Sequence, residues 1–294
     1  PTAFGEKIVM RIFDPDIVVK EFRQLGFTAD EERLWRDLVE RPHGIVLVTG
    51  PTGSGKTTTL YSTLKVLATP DLNVCTVEDP IEMVSPEFNQ MQVHQAIDLD
   101  FATGVRTLLR QDPDIIMIGE IRDLETAQMA VQASLTGHLV LSTLHTNDAP
   151  SALTRLLDLG VPSYLIQSTL SGIVAQRLVR TLCAHCKVEA KLDVQAWAAL
   201  THRWHLAPPD HVYAPKGCLE CRKTGFLGRT GIYEMLHVTP QIRAMIQPNT
   251  DLSRLIEVAY TNGMRPLRAS AAAQVARGVT TIPEVVNVLP PAEF

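Results

Sequence analysis

Gly50-Pro51-Thr52-Gly53-Ser54-Gly55-Lys56-Thr57-Thr58 is a glycine-rich run of nine residues. It fits G-x-x-x-x-G-K-[ST], the pattern of a phosphate-cradling loop. The β-branched apolar run 45–49 precedes it and reads as a buried parallel strand. Leu60, Leu64 and Leu67 follow Lys56 at helical spacing. The order is therefore strand, glycine-rich turn, helix. Gly53 and Gly55 suit positive φ and close approach to an anion. Backbone N–H groups of the loop and the helix N-terminus then point at phosphates. Lys56 supplies positive charge for β- and γ-phosphates, and the Thr57 hydroxyl is a Mg²⁺ ligand of the expected type. All of Gly50, Pro51, Thr52, Gly53, Ser54, Gly55, Lys56, Thr57 and Thr58 are expected to hold nucleotide.

On either side of this loop, apolar strands are expected at 45–49, 74–77, 115–118 and 139–142, with helices at about 56–67, 101–111 and 123–136. Asp123 is a good N-cap and Gly137 a good residue just past a helix end. Pro150 opens a further helix that ends at Gly160. Alternating strands and helices predict an α/β fold with a parallel sheet covered on both faces. Ligands then collect at the carboxyl ends of the strands. Polar groups fall at three of those ends: Glu78-Asp79, Gly119-Glu120 and Thr143 to Asn147, which includes His145. Acids there can hold Mg²⁺ and orient an attacking water, while histidine and threonine can sense the γ-phosphate. The metal-site strand of such proteins usually ends in aspartate. Here the longer Glu120 takes that place.

Charge developing on phosphate oxygens calls for arginine. Arg106 and Arg110 lie four apart on one predicted helix face, Arg122 follows Glu120, and Arg11 precedes a linker. Each alone reads more simply as a surface residue or ion-pair partner.

At 294 residues the chain is long enough for about two domains, and 45 % hydrophobic with 20 % charged residues describes a globular protein. The net charge of −5 and the lack of a basic block argue against nucleic acid as the main partner. No apolar run approaches the ~18 residues of a membrane span. No signal peptide is present, and a start at Pro1 reads as a fragment cut from a longer protein. Four divisions are expected. Residues 1–30 end an upstream domain, with a strand at 7–13 and a linker. Residues 31–180 form the nucleotide core, 181–226 a cysteine-bearing insertion, and 227–294 a helical C-terminal part.

Of five cysteines, Cys75 lies in an apolar run and reads as core. Cys183/Cys186 and Cys218/Cys221 are two C-x-x-C knuckles. In a reducing compartment they read first as a tetrahedral zinc site, with a redox pair as the alternative. A closed four-cysteine site leaves no open coordination position for catalysis. His185, His202, His205 and His211 read as surface residues.

The motifs together resemble a known family. The stretch 49–58 looks like the phosphate loop of the secretion ATPases, which drive type II secretion and type IV pilus assembly. Residues 76–82 resemble the aspartate box of that family, 109–123 its metal-site strand, and 136–138 with 142–147 its histidine box. Residues 5–11 resemble the end of its N-terminal domain, and the tetracysteine insertion is similar to that of export and assembly motors. The resemblance implies a RecA-like P-loop core that uses ATP, Mg²⁺ and Zn²⁺, and a homo-hexameric ring on the cytoplasmic face of the bacterial inner membrane. It implies inner-membrane platform and cytoplasmic adaptor proteins as partners, and Arg11 reaching a neighbour's nucleotide. In RecA-like sheets the strand after the phosphate-loop helix usually ends in the water-activating carboxylate. By that order Glu78 is the general base and Glu120 orients Mg²⁺, with the reverse assignment open. A nucleic-acid motor and a nucleotide-gated scaffold without turnover are the alternative functions.

Overall fold

The computed structural model describes residues 5, 6, 8, 20–201, 204 and 206–289. Arg11, His202 and His205 lie outside the described residues, as does the expected strand at 7–13 apart from Ile8.

Helices α1 (Phe22–Leu25) and α2 (Ala29–Val39) lead into the sheet. Thr28 starts α2 with a reciprocal cap. Its hydroxyl accepts the Glu31 N–H at 3.2 Å, and the Glu31 carboxylate accepts the Thr28 N–H at 2.7 Å. Then come β1 (Gly44–Thr49), α3 (Lys56–Leu67), β2 (Val74–Glu78), β3 (Asn89–Gln92), α4 (Phe101–Leu108) and β4 (Ile115–Ile118). They are followed by α5 (Leu124–Leu135), β5 (Leu139–Leu144), α6 (Ala149–Asp158), α7 (Ser163–Thr169) and the long β6 (Leu170–Leu182). The cysteine segment holds β7 (Val188–Ala190), α8 (Val194–Thr201) and β8 (Val212–Ala214). The chain closes with β9 (Phe226–His237), α9 (Pro240–Met245), α10 (Leu252–Thr261), α11 (Leu267–Ala276) and α12 (Ile282–Val288).

The main sheet has seven strands in the order β3-β2-β4-β5-β1-β6-β9. All neighbours are parallel except β6 and β9. The strand that feeds the phosphate loop thus lies between β5 and β6, and the loop emerges where the strand order reverses. Both faces are covered. One buries Trp35, Tyr61 and Leu64 under α1, α2 and α3. Trp35 satisfies its indole N–H on Thr63 Oγ1 at 3.0 Å. The other buries Val105, Ala130, Leu153 and Val275 under α4, α5, α6 and α11. Full burial of a side chain the size of leucine or phenylalanine stabilises by about 1.5–3 kcal/mol, and these continuous apolar strands repeat it on both faces.

The α/β architecture is as expected, with differences of local cause. α5 starts at its Asp123 cap, whose side chain accepts the Thr126 N–H at 2.8 Å. α4 stops at Leu108, short of the expected 111, because residues 109–112 turn, with Asp112 at φ 50, ahead of Pro113. β2 and β5 extend to Glu78 and Leu144. Three sheet strands, β3, β6 and β9, were not expected. The segment 227–294, read as helical, in fact opens with β9, which belongs to the core sheet. Arg229, Thr230 and Gly231 interrupt its apolar pattern. Antiparallel pairing with β6, from Gly172 opposite His237 to Leu182 opposite Phe226, supplies what the local pattern lacks.

Candidate nucleotide site

β1 ends at Thr49, and the chain turns through the loop into the N-terminus of α3. Gly55 sits at φ 87, and a Cβ there would come within 2.9 Å of Gln176 Nε2, so conformation and space both require glycine. Lys56 folds back over the loop, donating to the carbonyls of Gly50 at 2.8 Å and Pro51 at 3.2 Å. Burial lowers its pKa. Glu120 and Glu82 oppose that shift, while Arg177 adds to it.

The loop floors a cleft of about 560 Å³. Thr52 to Thr58 line it together with Glu78, Glu120, His145, Leu178 and Arg229. The three strand ends named from sequence therefore do meet beside the phosphate loop.

Glu78 is 3 % exposed, and neutral donors engage both its oxygens. Tyr61 donates to Oε2 at 2.6 Å. Thr76 donates to Oε1 at 2.6 Å and Gln90 Nε2 to the same oxygen at 3.2 Å. Burial first, then the Glu78 hydrogen bond and charge, push the Tyr61 phenol well above its ordinary pKa. Glu120 is held differently. Arg122 Nη2 meets its Oε1, and His145 Nε2 lies 3.4 Å from its Oε2. Arg122 also reaches Asp79 at 3.6 Å. Its hydrogen bond to Glu120 is the largest influence on its pKa and raises it. Hydroxyls stitch the strand ends behind these acids: Ser142 donates to Ile118 O at 2.8 Å and Thr143 to Gly119 O at 2.7 Å.

The other arginines lie elsewhere. Arg106 pairs with Glu125 at 3.2 Å on the surface, Arg110 is exposed, and neither lines the cleft. Sequence reasoning also missed residues. Glu82 and Arg229 line the cleft. Gln176 and Arg177 sit buried behind the loop on β6, a strand outside those expected from sequence. A polar pair inside the apolar run 170–179 was the only available signal.

The four paired cysteines converge, with sulfurs within 4.8 Å of one another. Cys183 and Cys218 are 3.9 Å apart, and Cys186 and Cys221 3.8 Å. Burial resists ionisation of Cys221, but N–H donors from Cys218 and Gly225 pull its thiol down to about 6. This donor set fits a thiophilic metal ion. The intervening segment is less polar than its sequence suggests. Trp197, Leu200 and Val212 are buried in the main core, where α8 meets α11 and α12.

A phosphate-loop pattern at the sheet's reversal point, acids at neighbouring strand ends and a four-cysteine cluster define an α/β protein with a candidate nucleotide site and a candidate metal site. The chain belongs to the type II/IV secretion system protein family, whose profile matches residues 1–287. It is 58 % identical over 290 residues to the type IV pilus assembly ATPase TfpB of Acinetobacter baylyi, covering 99 % of this chain and 50 % of that protein. It is 48 % identical over 288 residues to the type II secretion system protein HxcR of Pseudomonas aeruginosa, covering 98 % and 57 %. The chain thus spans about half the length of the curated relatives it matches. Among solved structures it is similar to the pilus retraction motor PilT with bound ADP. The TM-score is 0.67 at 29 % identity, covering 94 % of this chain and 68 % of that one.

Proposed function

We propose that this chain is the motor portion of an ATPase that powers type II secretion or type IV pilus assembly. The observation that carries the reading is the single cleft in which the phosphate loop faces Glu78, Glu120 and His145. Loop N–H groups and Lys56 neutralise the β- and γ-phosphates. Mg²⁺, when bound, supplies charge neutralisation at those phosphates. Thr57 and Glu120 are the residues that would hold it with its water shell. Glu78, fixed by Tyr61, Thr76 and Gln90, accepts the proton of the attacking water. His145 contacts the γ-phosphate. The four cysteines hold one structural Zn²⁺.

No helix among the described residues is long and apolar enough to cross a membrane. Peripheral docking on the cytoplasmic face, through platform and adaptor proteins, accords with that. A homo-hexamer accords with Arg110 standing exposed outside its own chain's cleft, where it could serve a neighbour's, while Arg106 is held by Glu125 of the same chain. Phosphate release from Mg·ATP tests the reading. Turnover per chain is expected to rise with protein concentration. Nucleotide binding without turnover would favour the scaffold, and undiminished activity at nanomolar dilution would contradict a shared site.

A further inference from the structure

The loop carrying His145 is anchored by three neighbouring strands. From β1, Thr49 Oγ1 accepts the Thr146 N–H at 2.8 Å. From β6, Arg177 Nη2 donates to Asn147 O at 2.8 Å and to its Oδ1 at 3.3 Å. From β9, Glu234 Oε1 accepts the Ala149 N–H at 2.8 Å. Arg177 and Glu234 are each 4 % exposed. Burying two ionisable groups costs stability unless their contacts compensate. Ala175 pairs with Glu234 and Arg177 with Ile232, so the guanidinium and the carboxylate are diagonal neighbours on one sheet face. The second Glu234 oxygen accepts the Leu267 N–H at 3.3 Å. That N–H opens α11, whose N-cap, Pro266, makes no side-chain cap bond. Glu234 thus caps two helix N-termini at once, where a carboxylate is favoured.

We propose that Arg177 and Glu234 are positioning residues for His145, which fix the 145–149 loop against the cleft and tie it to the C-terminal helix α11. The proposal rests on the reading of the cleft as an ATP site with His145 at the γ-phosphate. Neither residue lines the cleft. Removing Glu234 therefore leaves nucleotide affinity intact while misplacing His145; Arg177 Nη1 also lies beside Gly50, so removing Arg177 disturbs the phosphate loop as well. A misplacement of about 1 Å costs up to ~10²-fold in rate.

The test is a double-mutant cycle with Mg·ATP turnover and ADP binding as readouts. Glu234→Gln preserves size but puts an amide N–H₂ against one of the two backbone donors. Arg177→Lys keeps the charge but loses the fork. Each is made alone and in a His145→Ala background. Expected are a fall in kcat of about 10-fold or more from each single variant, KM and ADP affinity within about twofold of wild type for Glu234→Gln, and no further fall from either variant in the His145→Ala background. An equal drop in both backgrounds, or a rise in KM with kcat unchanged, overturns the proposal alone. His145→Ala with wild-type turnover overturns the reading of His145 and the proposal with it. If Glu234→Gln does not fold, the Arg177→Lys cycle decides by its kcat coupling to His145→Ala.

Discussion

His145 Nε2 stands 3.4 Å from Glu120 Oε2, although the two residues leave the sheet from different strands. β4 and β5 bring them together by pairing Ile118 with Ser142. Arg122 holds the other Glu120 oxygen, so this carboxylate sits between two basic groups at the cleft edge. Glu78 faces only neutral donors. The environments of the two glutamates predict different phenotypes.

Glu78→Gln should bind Mg·ATP about as well as wild type and lose roughly 10²-fold or more in turnover. Glu120→Gln should instead raise the Mg²⁺ concentration needed for half-maximal activity, because a metal-shell acceptor has lost its charge. Turnover titrated against Mg²⁺ for both variants separates the roles. A shifted Mg²⁺ dependence in Glu78→Gln and an unchanged one in Glu120→Gln would reverse them.

Tyr61→Phe removes the donor on Glu78 Oε2 and leaves Met83 O without the Tyr61 hydroxyl. Loss of a buried donor to a carboxylate costs about 1–3 kcal/mol. The urea midpoint should fall and turnover should drop with Glu78 less well oriented. Unchanged stability and unchanged turnover together would show that Glu78 does not depend on this bond.

Glu234 gives the protein a pH-dependent stability term. Burial foremost, with Asp148 adding to it, pushes its carboxyl up to about 7, against the backbone N–H groups of Ala149 and Leu267 and the charge of Arg177. The folded chain therefore binds this proton more tightly than the unfolded chain. The contribution is full below the ordinary carboxylate range and is lost as pH rises through about 7. Relative to Glu234→Gln, wild type should lose on the order of 1–3 kcal/mol between pH 5 and pH 8 by urea unfolding. A wild-type-minus-variant difference that stays flat across that range would refute this.

Stripping metal with a chelator should release one zinc per chain and loosen 181–226 before the sheet. Trp197 is buried where α8 meets α11 and α12, so part of this segment is held by the core itself. Hydrogen exchange should therefore rise most at the two cysteine knuckles and least in α8. No bound zinc, with all four thiols titratable in the folded protein, would contradict the site.

The phosphate loop and three strand ends were legible because their signals are local. A glycine pattern sits between an apolar run and a helical stripe, and Glu78, Glu120 and His145 follow apolar runs directly. The anchors behind them were not legible. Gln176 accepts from Thr59 at 2.9 Å and donates to Ser54 O at 2.9 Å, across more than a hundred residues of chain. Arg177 and Glu234 meet the His145 loop only because β6 pairs with β1 and β9 with β6, and both pairings are tertiary. The arginines are a different case. Helical spacing put Arg106 and Arg110 on one face, but it could not say that the face points away from this chain's cleft.

If the loop at Lys56 binds and splits ATP as proposed, phosphate release should collapse in Lys56→Ala. Lys56 is the only lysine lining the cleft among the described residues. The variant should lose about 10²-fold or more in turnover, because the β- and γ-phosphate charge loses its partner. Turnover within about twofold of wild type, in a variant that folds normally, would contradict the account.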